Sequence, residues 1–194
     1  MTASPSEIAE RYAAMVGADS FSADHGTAKI RVAASRWIEV HEALRTDLPF
    51  FSWLSAIDWA AEVAVGDPPE EAGEERYEVL SRLSDVGGGA GLIVSTDISK
   101  SDPRVASLTG VFGGADWHER EAAEMFGILF EGHPHLVKLY LPDGFEGYPL
   151  RKTFPLLSRE VKPWPGTVDV EDMPATENVE AGDEAGGAEP EDGE

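Results

Sequence analysis

Apolar residues near the start of the chain recur every third or fourth position. Ile8, Tyr12 and Met15 make a helical stripe that ends near Gly17. Ser4-Pro5-Ser6-Glu7 opens it well: Ser4 can cap, Pro5 suits the first turn, and Glu7 stands at the capping-box position. The period then drops to two, and residues 28–33 alternate through Ile30 and Val32 as a strand does. Ser35 is placed to cap a second helix, with Trp37, His41, Leu44 and Leu48 spaced three or four apart and Pro49 stopping it. Residues 50–59 read as a buried strand and 77–83 as another, and the glycines at 87–91 turn the chain into a third at 92–96. Between the first two lies AEVAVGDPPEEAGEE (61–75), acidic and turn-forming, expected as a solvated hairpin loop. Gly87-Gly88-Gly89 lacks the order of a phosphate-binding loop and precedes a strand instead of following one into a helix, so it is a turn.

The segment SDPRVASLTGVFGGA (101–115) is expected to cross the sheet as a short helix or extended piece. Asp116 then caps a third helix, with Glu119 at the capping-box position. These elements predict an α+β, two-layer domain over residues 1–130, a small mixed or antiparallel sheet covered by helices. Residues 131–167 have another character. Gly132, Pro134, Pro142, Gly144, Gly147 and Pro149 forbid a long helix, and only 136–141 could pair as a strand. Phe145, Tyr148, Phe154 and Trp164 are left on irregular backbone, and Pro163-Trp164-Pro165 adds a stiff aromatic anchor. Such a segment reads as an extended partner-binding arm.

Charge and composition narrow the function. The formal net charge is −22, and eleven acids without a base fall in residues 168–194, which read as a disordered acidic tail. This balance argues against nucleic acid, which demands clustered Lys and Arg. The absence of cysteine removes disulfides, thiolate zinc sites, cysteine nucleophiles and the usual ligands of an iron–sulfur cluster. The N-terminus shows no signal peptide, and no apolar run approaches the roughly 20 residues that span a bilayer. Any membrane association is therefore expected to go through a partner.

Three chemistries compete for HEREAAEMFG (118–127). His118-Glu119 begins an HExxH pattern, but Ala122 stands where the second histidine belongs. A metal site could draw on His118, Glu121, His133 and His135, which would make the chain a stand-alone metal-dependent hydrolase. Glu121 and Glu124, three apart, could work as acid and base. Against these stand structural roles. Arg120 and Glu124 can pair along the helix, and Glu119 can serve the cap. Glu121 shares a face with Trp117, Met125 and Ile128, the side expected to pack inward, so its carboxylate wants a cation, with Arg151 and Lys152 the candidates.

Several short motifs follow one another in fixed order: Glu119-Arg120-Glu121, Glu124-Met125-Phe126-Gly127-Ile128, Gly132-His133-Pro134, Phe145-Glu146-Gly147, Pro149-Leu150-Arg151-Lys152 and Phe154-Pro155-Leu156. Over about residues 116–157 this order resembles the C subunit of respiratory NADH–quinone oxidoreductase, bacterial complex I, and the likeness continues more weakly through 159–166. The resemblance implies an α/β domain whose extension clasps the D subunit, with the B and I subunits as further neighbours, on the cytoplasmic side of the membrane. It also implies a non-catalytic scaffold that carries no cofactor, while FMN, iron–sulfur clusters and quinone sit in partner subunits of a proton-translocating enzyme. The interface residues it carries over are those of the motifs: Glu119, Arg120, Glu121, Glu124, Phe126, Gly127, His133, Pro134, Phe145, Gly147, Pro149, Leu150, Arg151, Lys152, Phe154 and Pro155. The chain departs from the family pattern at Ala123, usually aromatic, at Glu124, usually Asp, and at His135 and Thr153, often Asp. A packing gap is expected beside Ala123. An equivalent subunit of a membrane-bound hydrogenase or formate hydrogenlyase is the near alternative.

Overall fold

The computed structural model describes residues 3–60 and 75–155. The expected acidic hairpin loop (apart from Glu75), the Pro163-Trp164-Pro165 anchor and the acidic tail lie outside the described residues.

The first helix, α1 (Pro5–Val16), carries the full capping box: Ser4 N–H donates to Glu7 Oε2 at 2.8 Å and Glu7 N–H to Ser4 Oγ at 3.3 Å. Gly17 ends it in the left-handed region, φ 63°. The buried stripe is Ala9, Tyr12, Ala13 and Val16, not Ile8, Tyr12 and Met15; the alanines let α1 lie close on the sheet and leave Met15 exposed. A short edge strand, β1 (Ser20–Ser22), precedes β2 (Ala28–Arg31), and nothing in the local pattern announces it. Residues 34–36 wind as a one-turn 3-10 segment, so Ser35 sits inside that turn and does not cap α2 (Trp37–Leu44).

Three long strands follow, β3 (Phe50–Trp59), β4 (Arg76–Ser84) and β5 (Gly91–Ser99), and pair as an antiparallel meander. β5 then takes β2 in parallel, with Ile30 opposite Val94, and β2 takes β1 antiparallel. The sheet is thus mixed, in the order β1-β2-β5-β4-β3. Its helix-facing side contributes Leu54, Val79, Leu83, Leu92, Val94 and Ile98 to one core with Trp37, Val40 and Leu44 of α2. On the other side Glu78 is fully buried yet answered three times, by Lys29 at 2.6 Å, Arg31 at 3.1 Å and the Trp59 indole N–H at 3.0 Å.

The 101–115 segment crosses as an extended piece containing β6 (Arg104–Ala106). α3 (Ala115–Phe126) begins one residue before the expected cap: Gly114 is its N-cap and no side chain caps it. Ala115 N–H already bonds Phe112 O at 3.0 Å, which draws Asp116 inside the first turn. β7 (Leu129–Glu131) then returns parallel to β6 as a two-stranded sheet. Residues 131–155 belong to the same compact unit as the other described residues.

Candidate functional site

The face that α3 buries is Ala115, Glu119, Ala122 and Phe126, with the Phe126 ring edge-on to Tyr77 at 6.2 Å. Trp117 is 66% exposed, so the inward stripe expected of Trp117, Glu121 and Met125 is rotated away from the core at its first member. A buried acid sets the rotation. Glu119 is wholly enclosed and accepts from Leu108 N–H and Ser107 O–H, both at 2.6 Å. It serves the crossover from β6, not the helix cap. Glu121 is half-buried and pairs with neither Arg151 nor Lys152.

The arm is irregular, so its backbone groups cannot pair with one another, and each one buried needs a partner. Side chains of α3 supply them. Glu124 spreads its carboxylate over three successive amides, those of Leu139, Tyr140 and Leu141, at 2.9, 3.0 and 2.6 Å. That clasp replaces the expected strand at 136–141. It also replaces the Arg120–Glu124 pair, because Arg120 reaches instead to the carbonyls of Val137 and Lys138 at 3.0 and 3.2 Å. Lys138 Nζ in turn gathers the carbonyls of Pro142, Asp143 and Phe145. Farther on, Leu150 N–H bonds Met125 O at 3.1 Å and Arg151 Nε bonds Phe126 O at 2.7 Å. The Arg151 guanidinium lies 4.0 Å over the Tyr148 ring, and Lys152 N–H reaches Asp58 at 2.9 Å. Asp58, itself buried and paired with Lys100 at 2.5 Å, carries no signal in the sequence because its partner is 94 residues away. The arm does not wait for a partner to be held. It is clasped by its own helix.

The remaining motif residues stand as follows. Phe145 and Phe154 stack at 6.0 Å, with Gly147 at φ 90° beneath Phe154. Pro149 is half-buried, and Pro134, Leu150, Lys152 and Pro155 are exposed. Glu119 and Phe126 face the core, so neither offers its side chain directly to a partner. Trp117, Tyr140 (63% exposed) and Leu150 (51%) leave large apolar surface uncovered by the described residues. A groove of about 460 Å³ opens between α3 and the arm, lined among others by Ala123, Ile128, Leu136, Leu141 and Phe145.

Among the described residues the three histidines named as metal-ligand candidates stay apart. His118 turns to the Phe51 ring at 5.8 Å, His133 is buried against Asp116, and His135 is exposed. Among the described residues no group of three His, Cys, Asp or Glu is placed to hold a metal. Burial would raise the carboxyl of Glu124, but its three backbone bonds outweigh that and hold its pKa below the ordinary value. It therefore cannot keep a proton for acid catalysis.

Two buried groups pull the pH dependence of folding in opposite directions. Burial pushes the Glu119 carboxyl up to about 7, only partly offset by Ser107 and Leu108. Burial pushes His41 down to about 4, its Nδ1–H donating to Trp37 O and its Nε2 accepting from Ser81 Oγ, both at 2.6 Å. Between pH 4.5 and 7 the fold holds a proton at Glu119 that the unfolded chain releases, so that contribution weakens as pH rises. Between pH 4 and 6.5 the unfolded chain protonates a histidine that the fold keeps neutral, so that contribution weakens as pH falls. The two slopes cancel where they overlap. Glu119→Gln unmasks the second: from pH 6.5 to 5 it should lose about 1.5 kcal/mol by chemical denaturation, while the parent stays nearly level. Parallel curves for the two proteins would refute the assignment.

The fold and the site together define a small α+β chain whose most elaborate polar construction fixes an arm and leaves an apolar surface outward. Residues 30–160 match the family of the respiratory-chain NADH dehydrogenase 30 Kd subunit, and the chain belongs to that family. It is a C-subunit-like chain of the NADH–quinone oxidoreductase type. It is 34% identical over 137 residues to the NADH-quinone oxidoreductase C subunit of Salinispora arenicola (strain CNS-205), covering 69% of this chain and 52% of the relative. The chain thus spans about half the length of that relative. The NADH-quinone oxidoreductase C/D subunit of Yersinia pestis (strain Pestoides F) is 37% identical over 97 residues, 50% of this chain and 16% of the relative. Among solved structures, a trypsin-resistant fragment of Nqo5 superposes with a TM-score of 0.53 at 25% identity, over 68% of this chain and 98% of the fragment.

Proposed function

We propose that this chain is a non-catalytic docking subunit of an NADH–quinone oxidoreductase, seated on the D subunit through α3 and the arm. The observation that carries it is the division of labour within the arm: its backbone is satisfied by α3, while Trp117, Tyr140 and Leu150 face outward beside an apolar groove. Surface of this kind suits a permanent partner. The C/D relative supports the choice of partner, because its name joins the two subunits in one chain. The B and I subunits are the further neighbours in this reading. The chain holds no cofactor; FMN, iron–sulfur clusters and quinone belong to partner subunits that carry electrons from NADH to quinone. Among the described residues no helix is long and apolar enough to cross a membrane, and the chain reaches the cytoplasmic face through the complex.

Gentle purification from native membranes tests this. The chain should bring the D subunit with it, and the exposed-face variants Trp117→Ser and Tyr140→Ser should each weaken that association about tenfold or more without lowering the melting temperature. Isolation as a lone monomer, or recovery of a hydrogenase large subunit in place of the D subunit, would overturn the assignment.

A further inference from the structure

One construction at the root of the arm joins α3 to two other segments. Glu119, from the second turn of α3, meets two other segments in a fully buried space. From the crossover come Leu108 N–H, on Oε1 at 2.6 Å, and Ser107 Oγ, on Oε2 at 2.6 Å. From the arm comes the buried imidazole of His133, its Nε2 4.0 Å from Oε2 of Glu119 and 3.1 Å from Asp116 Oδ1. The tautomer of His133 is settled by its neighbour: His135 N–H donates to Nδ1 at 3.0 Å, so the ring proton resides on Nε2 and is donated to the Asp116 backbone carbonyl at 3.2 Å.

The hydroxyls beside Glu119 accommodate either charge state. Ser107 Oγ also meets Thr109 Oγ1 at 2.8 Å and accepts from Thr109 N–H at 3.2 Å. With Glu119 protonated, its O–H donates to Ser107 and Ser107 donates to Thr109. With Glu119 ionised, the two hydroxyls reverse. Every group keeps a partner in both states, but only the neutral one avoids a buried charge beside the Asp116 carboxylate. The other charged groups nearby do not relieve it. Arg120 is turned to the carbonyls of Val137 and Lys138, and Arg104 is paired with Asp102 and Glu131 on the exposed ends of β6 and β7.

We propose that Glu119 is a proton-binding site, protonated in the closed fold, and that loss of this proton loosens the crossover at 107–109 and the arm root at 132–135 together. Its consequence for docking rests on the D-subunit assignment; the proton site itself does not. The carboxyl pKa of about 7 sets the range. For an open state in which the carboxyl titrates near 4.5, the open fraction rises about tenfold from pH 6 to pH 8.

The test uses the full chain by itself, without the D subunit. Amide exchange of Leu108 and His135, corrected for the intrinsic effect of pH, should speed up about tenfold between pH 6 and 8. In Glu119→Gln it should stay flat, because the side-chain amide can donate to Ser107 and accept from Leu108 as the neutral acid does. Carboxyl NMR of the unaltered chain should show one glutamate titrating near neutrality, a measurement that needs no variant to fold. Level protection in the parent, an equal rise in Glu119→Gln, or no glutamate titrating above pH 6 would each overturn the proposal. If the proton site holds but association with the D subunit proves independent of pH, only the link to docking fails.

Discussion

Glu124→Ala should free residues 139–141 from α3 while the sheet stays folded. Among the described residues the carboxylate is the acceptor for three consecutive amides, those of Leu139, Tyr140 and Leu141. Charge-assisted bonds of this kind are each worth about 1.5–3 kcal/mol, and water recovers part of that once the segment lifts. A net loss of about 3 kcal/mol for the clasp corresponds to on the order of a hundredfold faster exchange at these three amides. Amides of β4 and β5 should keep their protection, since those strands are held by their own antiparallel pairing and by the core of Val79, Leu83, Leu92 and Val94, not by Glu124. Glu124→Gln should fall between, because its amide nitrogen meets backbone N–H groups as donor against donor. Association with the D subunit should drop alongside, as Tyr140 loses its fixed position. Unchanged exchange at 139–141 would remove Glu124 as the anchor, and equal losses in β4 would show that arm and sheet unfold as one.

What can be read in the sequence is whatever local chemistry decides. The capping box of α1 lies within four residues, and the alternation of β4 and β5 follows from two faces of which one packs on helices. The strands that leave no mark in the pattern, β1, β6 and β7, are three residues long and exist only because other strands pair with them, β2 with β1 and β6 with β7. The orientation of α3 is hidden for a related reason. Periodicity assigns acids to the solvent side, yet Glu119 is buried on bonds from Ser107 and Leu108 that no spacing announces. Once Glu119 points inward, Trp117 must point out. The arm is half legible. Its glycines and prolines exclude a helix, but they cannot show that Arg120 and Glu124 turn away from each other to hold its backbone.

Gly127→Ala should have the largest effect on docking of any single change at this site. Gly127 ends α3 at φ 75°, its N–H bonded to Ala123 O at 2.9 Å, and an alanine there costs about 1 kcal/mol in backbone strain alone. Space makes matters worse. The added Cβ would collide with Arg151 Nη2 and fall 2.7 Å from the Tyr148 ring, so it drives apart the guanidinium–ring stack that closes the arm. The Arg151 bond to Phe126 O would be lost with it. Affinity for the D subunit should fall about 30-fold or more, the range of an interface hot spot, measured by titration with that subunit in purified form. Arg151→Ala removes the cation but crowds nothing, so Tyr148 stays and the loss should be nearer tenfold. The double variant separates strain from position. If Gly127 acts by making room for Arg151 and Tyr148, adding Arg151→Ala to Gly127→Ala costs little more, because the stack is already open. Losses that simply add would mean the two residues serve the partner at separate places, and the arm would then be a string of independent contacts instead of one clasp.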